Sequence, residues 1–184
     1  MCGKGGVFHD HHRDLGDTIG GIMRELQAGT VIREWVDTAT GRRPGDCALL
    51  HYRTGGSHLL VDVSIRSLIT NTNYGTYMTR QLDMLEGAEQ DKIASYRSLH
   101  DGPHVFIPFI SNEHGRLGPR ALALMDDWAD KAVANAHHMT RAAPAERSRY
   151  RDYLIRRWRS CISHSIARTM ARSVINLADA AAAS

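Results

Sequence analysis

Two aspartates, Asp46 and Asp62, stand on what the sequence predicts to be the two arms of a β-hairpin. Asp46 opens the first predicted strand, and Asp62 lies among the apolar residues of the second, residues 59–65. A carboxylate inside an apolar strand costs free energy unless its charge is paired. Two carboxylates on neighbouring strands can share one divalent cation through their oxygens. The sequence therefore leaves open a metal site or a buried ion pair at Asp62, for example with Arg53.

Whether the two carboxylates meet depends on the turn that joins the strands. A two-residue turn at Gly55-Gly56 would put Asp46 and Asp62 on opposite faces of the sheet. A three-residue turn over residues 54–56 would set Asp62 opposite Ala48, with Asp46 as its diagonal neighbour on the same face. Diagonal neighbours lie about 7–8 Å apart, within reach of a shared ion. A shared metal thus requires the three-residue turn or a bulge.

The elements that would position these aspartates follow from the spacing of apolar residues. The spacing predicts a helix over residues 15–29, a strand over 30–36 that carries Glu34, a loop over 67–84, a helix over 85–99, a strand over 104–110, and helices that begin at Pro119 and Pro144. Lys92 and Tyr96 share one face of the helix over 85–99. Pro108 argues that its strand is an edge strand or carries a bulge.

The order of these elements predicts an α/β fold. The first three strands can form an antiparallel meander, and a right-handed helical crossover then leads to a parallel fourth strand. This is an αβββαβ core with a mixed four-stranded sheet and two additional C-terminal helices. We divide the chain into a core domain, residues 1–140, and a basic helical extension, residues 141–184.

Composition narrows the function classes. With 184 residues and 42% hydrophobic content, the chain suits one globular domain; it has no membrane-length apolar run and no signal-peptide core, so we expect a soluble intracellular protein. Three separated cysteines indicate no disulfide framework, and Cys2 with its neighbouring histidines lacks the paired spacing of a zinc site. Residues 141–172 carry nine arginines and two acids, which suits a polyanion partner, although such a run is more often a solvated face.

Five short motifs run in order along the chain: His12-Arg13 with Asp17, Arg43-Pro44-Gly45-Asp46, Leu60-Val61-Asp62-Val63, Lys92 with Tyr96, and Phe106-Ile107-Pro108-Phe109. A helix with Trp158-Arg159 follows. Together they resemble the restriction-like endonuclease domain of non-LTR retrotransposons, a branch of the PD-(D/E)XK nuclease superfamily. The likeness is to plant and algal copies that follow a reverse transcriptase. It implies that the chain is a fragment or remnant of such an element.

The resemblance implies a restriction-endonuclease-like core that nicks DNA by metal-dependent phosphodiester hydrolysis, as in retrotransposon integration. Asp46 and Asp62 would hold Mg²⁺ or Mn²⁺, and zinc is not expected in this chain alone. Lys92 would stabilise the attacking hydroxide and the charge that grows on the phosphate. Glu34 is a candidate third acid, and Tyr96 would orient the lysine or contact the nucleic-acid backbone.

The same resemblance implies DNA as the partner, together with the RNA of the parent element, and a nuclear location in a eukaryote. Phosphate contacts are expected from the arginines of the basic helix and of the Arg-Pro motif: Arg156, Arg157, Arg159 and Arg43. Such contacts position a duplex without reading its sequence.

The alternative function is a catalytically decayed nucleic-acid-binding protein that keeps the arginine-rich helix. Ser64 and Ser95 favour it, because each stands where the superfamily or the family has a lysine. The presence of Asp46, Asp62 and Lys92 together opposes it. A helical module that binds an acidic protein is a further alternative. A nuclease requires these three residues to converge, whereas a binder requires only the basic face.

Overall fold

The computed structural model describes residues 6–36, 45–53, 55–66, 74–97 and 103–182; residues 6–12, 35, 74–79, 177 and 180–182 are described by their backbone alone. The elements are α1 (Gly6–Glu25), β1 (Val31–Trp35), β2 (Gly45–Leu49), β3 (Leu59–Arg66), α2 (Tyr74–Ser95), β4 (Val105–Asn112), α3 (Pro119–Asn135), a short 3-10 helix (His137–Met139) and α4 (Pro144–Ala182). Within these residues, no helix is both long enough and apolar enough to cross a lipid bilayer.

The four strands form one mixed sheet in the order β1-β2-β3-β4. β1, β2 and β3 pair antiparallel, and β4 pairs parallel with β3. The predicted α/β class with a meander and a parallel fourth strand is therefore confirmed. Pro108 lies in β4, at the edge of this sheet, where its missing N–H removes no ladder bond.

Helices cover both faces of the sheet. On one face, α1, α3 and α4 bury Leu15, Trp128 and Trp158 in one core with Val61 of β3. On the other face, side chains of α2 and of the turn after it pack on the strands: Leu85 on Ile110, and Tyr96 on Ala48, Leu60 and Phe106. Because side chains alternate along a strand, Asp62 points with Leu60 to this second face, which we call the α2 face.

Two helices begin earlier than the apolar spacing predicted. α1 begins at Gly6 rather than at Leu15, and α2 begins at Tyr74, so the loop predicted over residues 67–84 is wrong from Tyr74 onward. Arg80 has non-helical angles, with φ −131° and ψ 32°, so α2 is two helical pieces joined at a kink. This break explains why no continuous 3.6-residue period is visible in the sequence there.

The structure follows, for only part of its length, the one buried stripe that the apolar spacing along α4 predicts: Leu154, Trp158, Ile162, Ile166, Met170 and Val174. Leu154, Trp158, Ile162 and Ile166 are buried as expected, but Val174 is 65% exposed. The next buried positions beyond Ile166 are polar residues, Thr169 and Ser173. The buried face therefore turns away from the predicted line, and the prediction for Val174 is wrong.

Arg33 of β1 attaches α1 to the sheet. Its Nη1 donates to the Cys47 sulfur at 2.7 Å, and its Nε lies 3.2 Å from an Asp17 oxygen. Gly16 makes room for it, since a Cβ there would come within 2.3 Å of Nη1. The Cys47 thiol donates to the Gly16 carbonyl at 3.2 Å. Burial raises the pKa of the Cys47 thiol to about 11, although the Arg33 charge acts in the opposite direction.

Three histidines join the β2–β3 connection to the start of β4. The His58 ring stacks on His104 with centroids 4.7 Å apart, and the His51 ring meets His58 edge-on at 5.6 Å. The backbone N–H of His51 donates to Nδ1 of His58, and that of His58 donates to Nδ1 of His104, both at 3.3 Å. Burial lowers the pKa of His58, and the charges of His104 and His51 lower it further.

Cysteine alkylation tests the packing around Arg33. Iodoacetamide at about pH 8 should modify the exposed Cys161 and spare Cys47, because a buried thiol with a pKa of about 11 is almost entirely protonated. Peptide mass mapping measures both sites, and urea-unfolded chain, in which both should react, is the control. Equal modification in the folded chain would contradict the buried thiol.

The contribution of His58 to the free energy of unfolding should fall as the pH is lowered from about 8 to about 5. The pKa of folded His58 lies below its ordinary 6.5, so the unfolded chain takes up the proton first. The stability that His58 contributes is complete above 6.5 and is lost as the pH falls below that value. Urea unfolding at several pH values measures the slope. His58→Gln should flatten it, whereas substitution of the exposed His164 by Gln should not.

Candidate active site

The register of β2 and β3 brings the two predicted acids together. Cys47 pairs with Val61 and Ala48 with Leu60, so Asp46 and Asp62, each next to a residue of the last pair, lie at the same end of this ladder. Neither predicted turn length is correct, because the strands are joined by residues 50–58. His51 has a left-handed φ of 57°, and Tyr52 is buried with its hydroxyl donating to Asp127, which together end β2 early. The two glycines lie within this wider connection.

The Asp46 side chain accepts a β3 backbone N–H that would otherwise bond to the backbone of a neighbouring strand. Its Oδ2 accepts the backbone N–H of Val63 at 2.7 Å, immediately beyond the Cys47–Val61 pair. Gly45 permits the close approach of the strands there, since a Cβ would lie 3.1 Å from the Val61 carbonyl oxygen. This hydrogen bond fixes the Asp46 carboxylate beside the segment of β3 that carries Asp62.

Asp62 forms a buried ion pair with Lys92 of α2. The Lys92 Nζ lies 2.7 Å from Oδ2 of Asp62, and the two side chains are only 15% and 12% exposed. Of the two alternatives left open for Asp62, the structure contains the ion pair, with Lys92 in place of the exposed Arg53. Desolvation of both charges is offset only by good pairing, so this contact constrains where α2 can lie.

Oδ2 of Asp62 is buried and lies 2.7 Å from the Lys92 ammonium, which is the distance of a charge-assisted hydrogen bond, although the contact departs from the preferred hydrogen-bond direction. Hard divalent cations prefer such carboxylate oxygens. No three His, Cys, Asp or Glu side chains in the described part of the chain are arranged to hold a metal. Asp46 and Asp62 still fit Mg²⁺, which commonly uses one or two carboxylates together with water and substrate phosphate.

Tyr96 contacts the lysine through its ring. The Lys92 Nζ lies 5.9 Å from the centre of the Tyr96 ring, which packs on Phe106 with centroids 5.3 Å apart. The backbone N–H of Tyr96 donates to the Lys92 carbonyl at 3.0 Å. Tyr96 thus sits where it can restrict the lysine side chain, and its role in catalysis stays a prediction.

Glu34 stands apart from the other predicted acids. It lies between the two β1 residues that pair with Cys47 and Gly45, but its φ of 50° is left-handed and interrupts the strand alternation. Its side chain is exposed. Glu34 does not form a three-carboxylate group with Asp46 and Asp62 among the described residues, and its role as a third acid stays a prediction.

Sequence reasoning missed a second buried acid, Glu89, which lies on α2. Its two carboxylate oxygens accept the backbone N–H of Arg120 at 3.0 and 3.2 Å, and Gly118 leaves the space that they occupy. Burial raises the pKa of Glu89, while the backbone N–H groups of Arg120 and Ala121 oppose that shift. Glu89 therefore caps the start of α3. One sequence feature could have indicated such a contact. Gly118, the residue before Pro119, has no side chain to cap the start of α3, so another group must accept its N–H bonds.

Much of the positive charge of α4 is paired within the protein. Arg151 contacts Asp126 and Asp130 of α3 at 2.9 and 2.6 Å, Arg168 and Arg172 contact Asp14 of α1 at 3.5 and 2.7 Å, and Arg157 contacts Glu25. These pairs fasten α4 to its neighbours. Arg157, predicted to contact phosphate, is one of the paired residues.

The other three predicted phosphate contacts lie in different surroundings. Arg156 and Arg159 are exposed and have no carboxylate partner among the described residues. Arg159 lines a cavity of about 350 Å³ with Arg116 and Ser163. Arg43 lies outside the described residues.

Lys92→Met should lower the free energy of unfolding by about 3 kcal/mol, because it leaves the charge of Asp62 buried without a partner. Adding Asp62→Leu should recover most of this loss, since an apolar pair replaces both charges. Urea unfolding measures each variant. The exposed pair of Arg80 and Asp83 supplies the control, and Arg80→Met should cost less than about 1 kcal/mol. Equal costs for Lys92→Met and Arg80→Met would contradict the buried pair.

Comparison with known proteins adds no family to this geometry. No protein-family model matches the chain, and no curated protein or solved structure matches it either.

Proposed function

We propose that this chain is a metal-dependent endonuclease that hydrolyses phosphodiester bonds in DNA. The observation that carries the proposal is the position of Lys92, 2.7 Å from Asp62, on the face where Asp46 approaches from the neighbouring strand. Two acids and a lysine, fixed by packing within an otherwise apolar face, are an arrangement suited to phosphate chemistry. The sequence motifs around these residues point to the same chemistry.

Each residue has a role in this proposal. Asp46 and Asp62 hold Mg²⁺ or Mn²⁺, which when bound supplies charge stabilisation at the phosphate and a more acidic water. Lys92 carries three N–H donors and reaches Asp62 with its ammonium group, so its remaining donors can contact a phosphate oxygen on which charge develops. Tyr96 limits the freedom of the lysine. The exposed Arg159 contributes charge toward the DNA backbone.

A catalytically inactive nucleic-acid-binding protein is the second candidate function. Two observations favour it: Lys92 already neutralises Asp62, and Ser64 is buried two residues after Asp62, where the superfamily has its lysine. The RNA of a parent element and a nuclear location remain predictions under either function.

Plasmid nicking tests the proposal. The purified chain should nick supercoiled plasmid in Mg²⁺ or Mn²⁺ and lose this activity in EDTA. Asp46→Asn, Asp62→Asn and Lys92→Met should each lower the rate by about 100-fold or more, because each removes a group that stabilises charge in the transition state. The exposed Asp83, changed to Asn, is the matched control and should leave the rate unchanged.

Thermal unfolding with Mg²⁺ accompanies the nicking assay as a readout independent of activity. A cation bound by Asp62 stabilises the fold by about 1.4 kcal/mol at ten times its dissociation constant, and Asp62→Asn should lose this gain. Nicking that survives in Asp62→Asn would indicate a contaminating nuclease and reject the proposal. Absence of nicking with retained, salt-sensitive DNA binding would favour the second candidate.

A further inference from the structure

A second site lies between the ends of α1 and α3 and the first half of α4. It is a cavity of about 550 Å³ whose lining includes His138, Tyr150, Tyr153, Arg157 and Trp158, which we call the aromatic groove. Trp158 belongs to the core beneath α1, α3 and α4. The groove is therefore on the side of the sheet opposite to the α2 face, and the proposed hydrolysis does not use it.

The rings of the groove contact one another in series. His138 meets Tyr150 edge-on with centroids 5.1 Å apart, and Tyr150 stacks with Tyr153 at 6.3 Å and an interplanar angle of 21°. The Arg157 guanidinium lies 5.8 Å from the Tyr153 ring. Tyr153 is nevertheless 51% exposed, although aromatic rings of this size are usually more covered. An exposed ring held among other planar groups offers a surface on which a further planar group can stack.

Glu25 of α1 holds this arrangement in place. Its Oε2 accepts the Trp158 indole N–H at 2.8 Å and also contacts the Arg157 guanidinium. Arg157 is thereby fixed against Tyr153 before any ligand arrives. Rigid recognition groups lose less conformational entropy on binding, which favours affinity.

The surroundings of Tyr153 on α4 are basic. Arg149 precedes it by four residues and Arg156 follows it by three, and such neighbours lie about 5–6 Å away on the helix surface. Neither arginine has a carboxylate partner among the described residues; Arg156 contacts only the Asp152 carbonyl oxygen, at 3.3 Å. These two charges are available to a ligand, in contrast to the paired Arg151 and Arg157.

We propose that the aromatic groove binds single-stranded nucleic acid, with a base stacked on Tyr153 and neighbouring phosphates on Arg149 and Arg156. An aromatic platform beside unpaired arginines is how proteins bind single strands without reading their sequence. In a duplex the base faces are already stacked, so a duplex offers the groove only its phosphates. This binding goes beyond the proposed hydrolysis and requires neither Asp62 nor a metal.

Fluorescence anisotropy with the full chain tests the groove. A labelled oligothymidylate should bind more tightly than the same length of duplex, and an abasic strand with the same phosphates should bind about tenfold or more weakly. Tyr153→Ala should weaken oligothymidylate binding by a similar factor, whereas Tyr153→Phe, which keeps the ring, should bind normally. Arg149→Gln with Arg156→Gln should reduce the dependence of affinity on salt.

The controls separate this proposal from the nuclease proposal. Asp62→Asn should bind the single strand as the wild type does, so loss of nicking and loss of strand binding can be told apart. The half-exposed Tyr153 can be truncated without a core cavity, and thermal unfolding verifies that each variant is folded. Wild-type affinity in Tyr153→Ala, equal affinity for the abasic strand, or a preference for duplex would each overturn the proposal.

Discussion

The buried charge of Asp62 is the constraint on which the α2 side of the molecule depends. A carboxylate within an apolar strand loses its hydration, at a cost of several kcal/mol that a well-placed cation must offset. Lys92 meets this need only if α2 crosses the sheet at one height and with one rotation about its axis. Tyr96, one turn further on, then packs on Phe106. One electrostatic requirement therefore fixes a helix whose other contacts are apolar and less directional.

Charge pairs also set the helices on the opposite face. Arg33 of β1 joins the sheet to α1 through Asp17, and Arg151 joins α4 to α3 through two aspartates. Some arginines of α4 therefore form ion pairs with neighbouring helices, and only the others form a basic surface. The net charge of a segment counts all of its arginines. A polyanion can bind only those arginines that have no carboxylate partner within the protein. On α4 that remainder includes Arg149 and Arg156, beside an exposed tyrosine.

Sequence reasoning predicted the features that follow from the periodicity of side chains and missed the features that depend on loops and on contacts distant in sequence. The element order and the face shared by Lys92 and Tyr96 follow from repeating side-chain directions, which neighbours in sequence determine. The predicted hairpin register was wrong because β2 ends at a tertiary contact, the burial of Tyr52, that no local pattern reveals. Glu89 was missed for the same reason: its backbone partner, Arg120, is 31 residues away in sequence.

The hydrogen bonding of the Asp62 carboxylate is relevant to why the ion pair with Lys92 exists. A buried ion pair kept for stability alone can often be replaced by apolar residues at no loss, and where it persists its oxygens are usually hydrogen-bonded. Oδ2 of Asp62 has a charge partner but no directed hydrogen bond within the described residues. In the proposed function, a cation that coordinates this oxygen would allow the Lys92 ammonium to turn toward a phosphate. Under that proposal, the fold would hold Asp62 and Lys92 as parts of a binding site, and the ion pair between them would be the arrangement of the site without ligand.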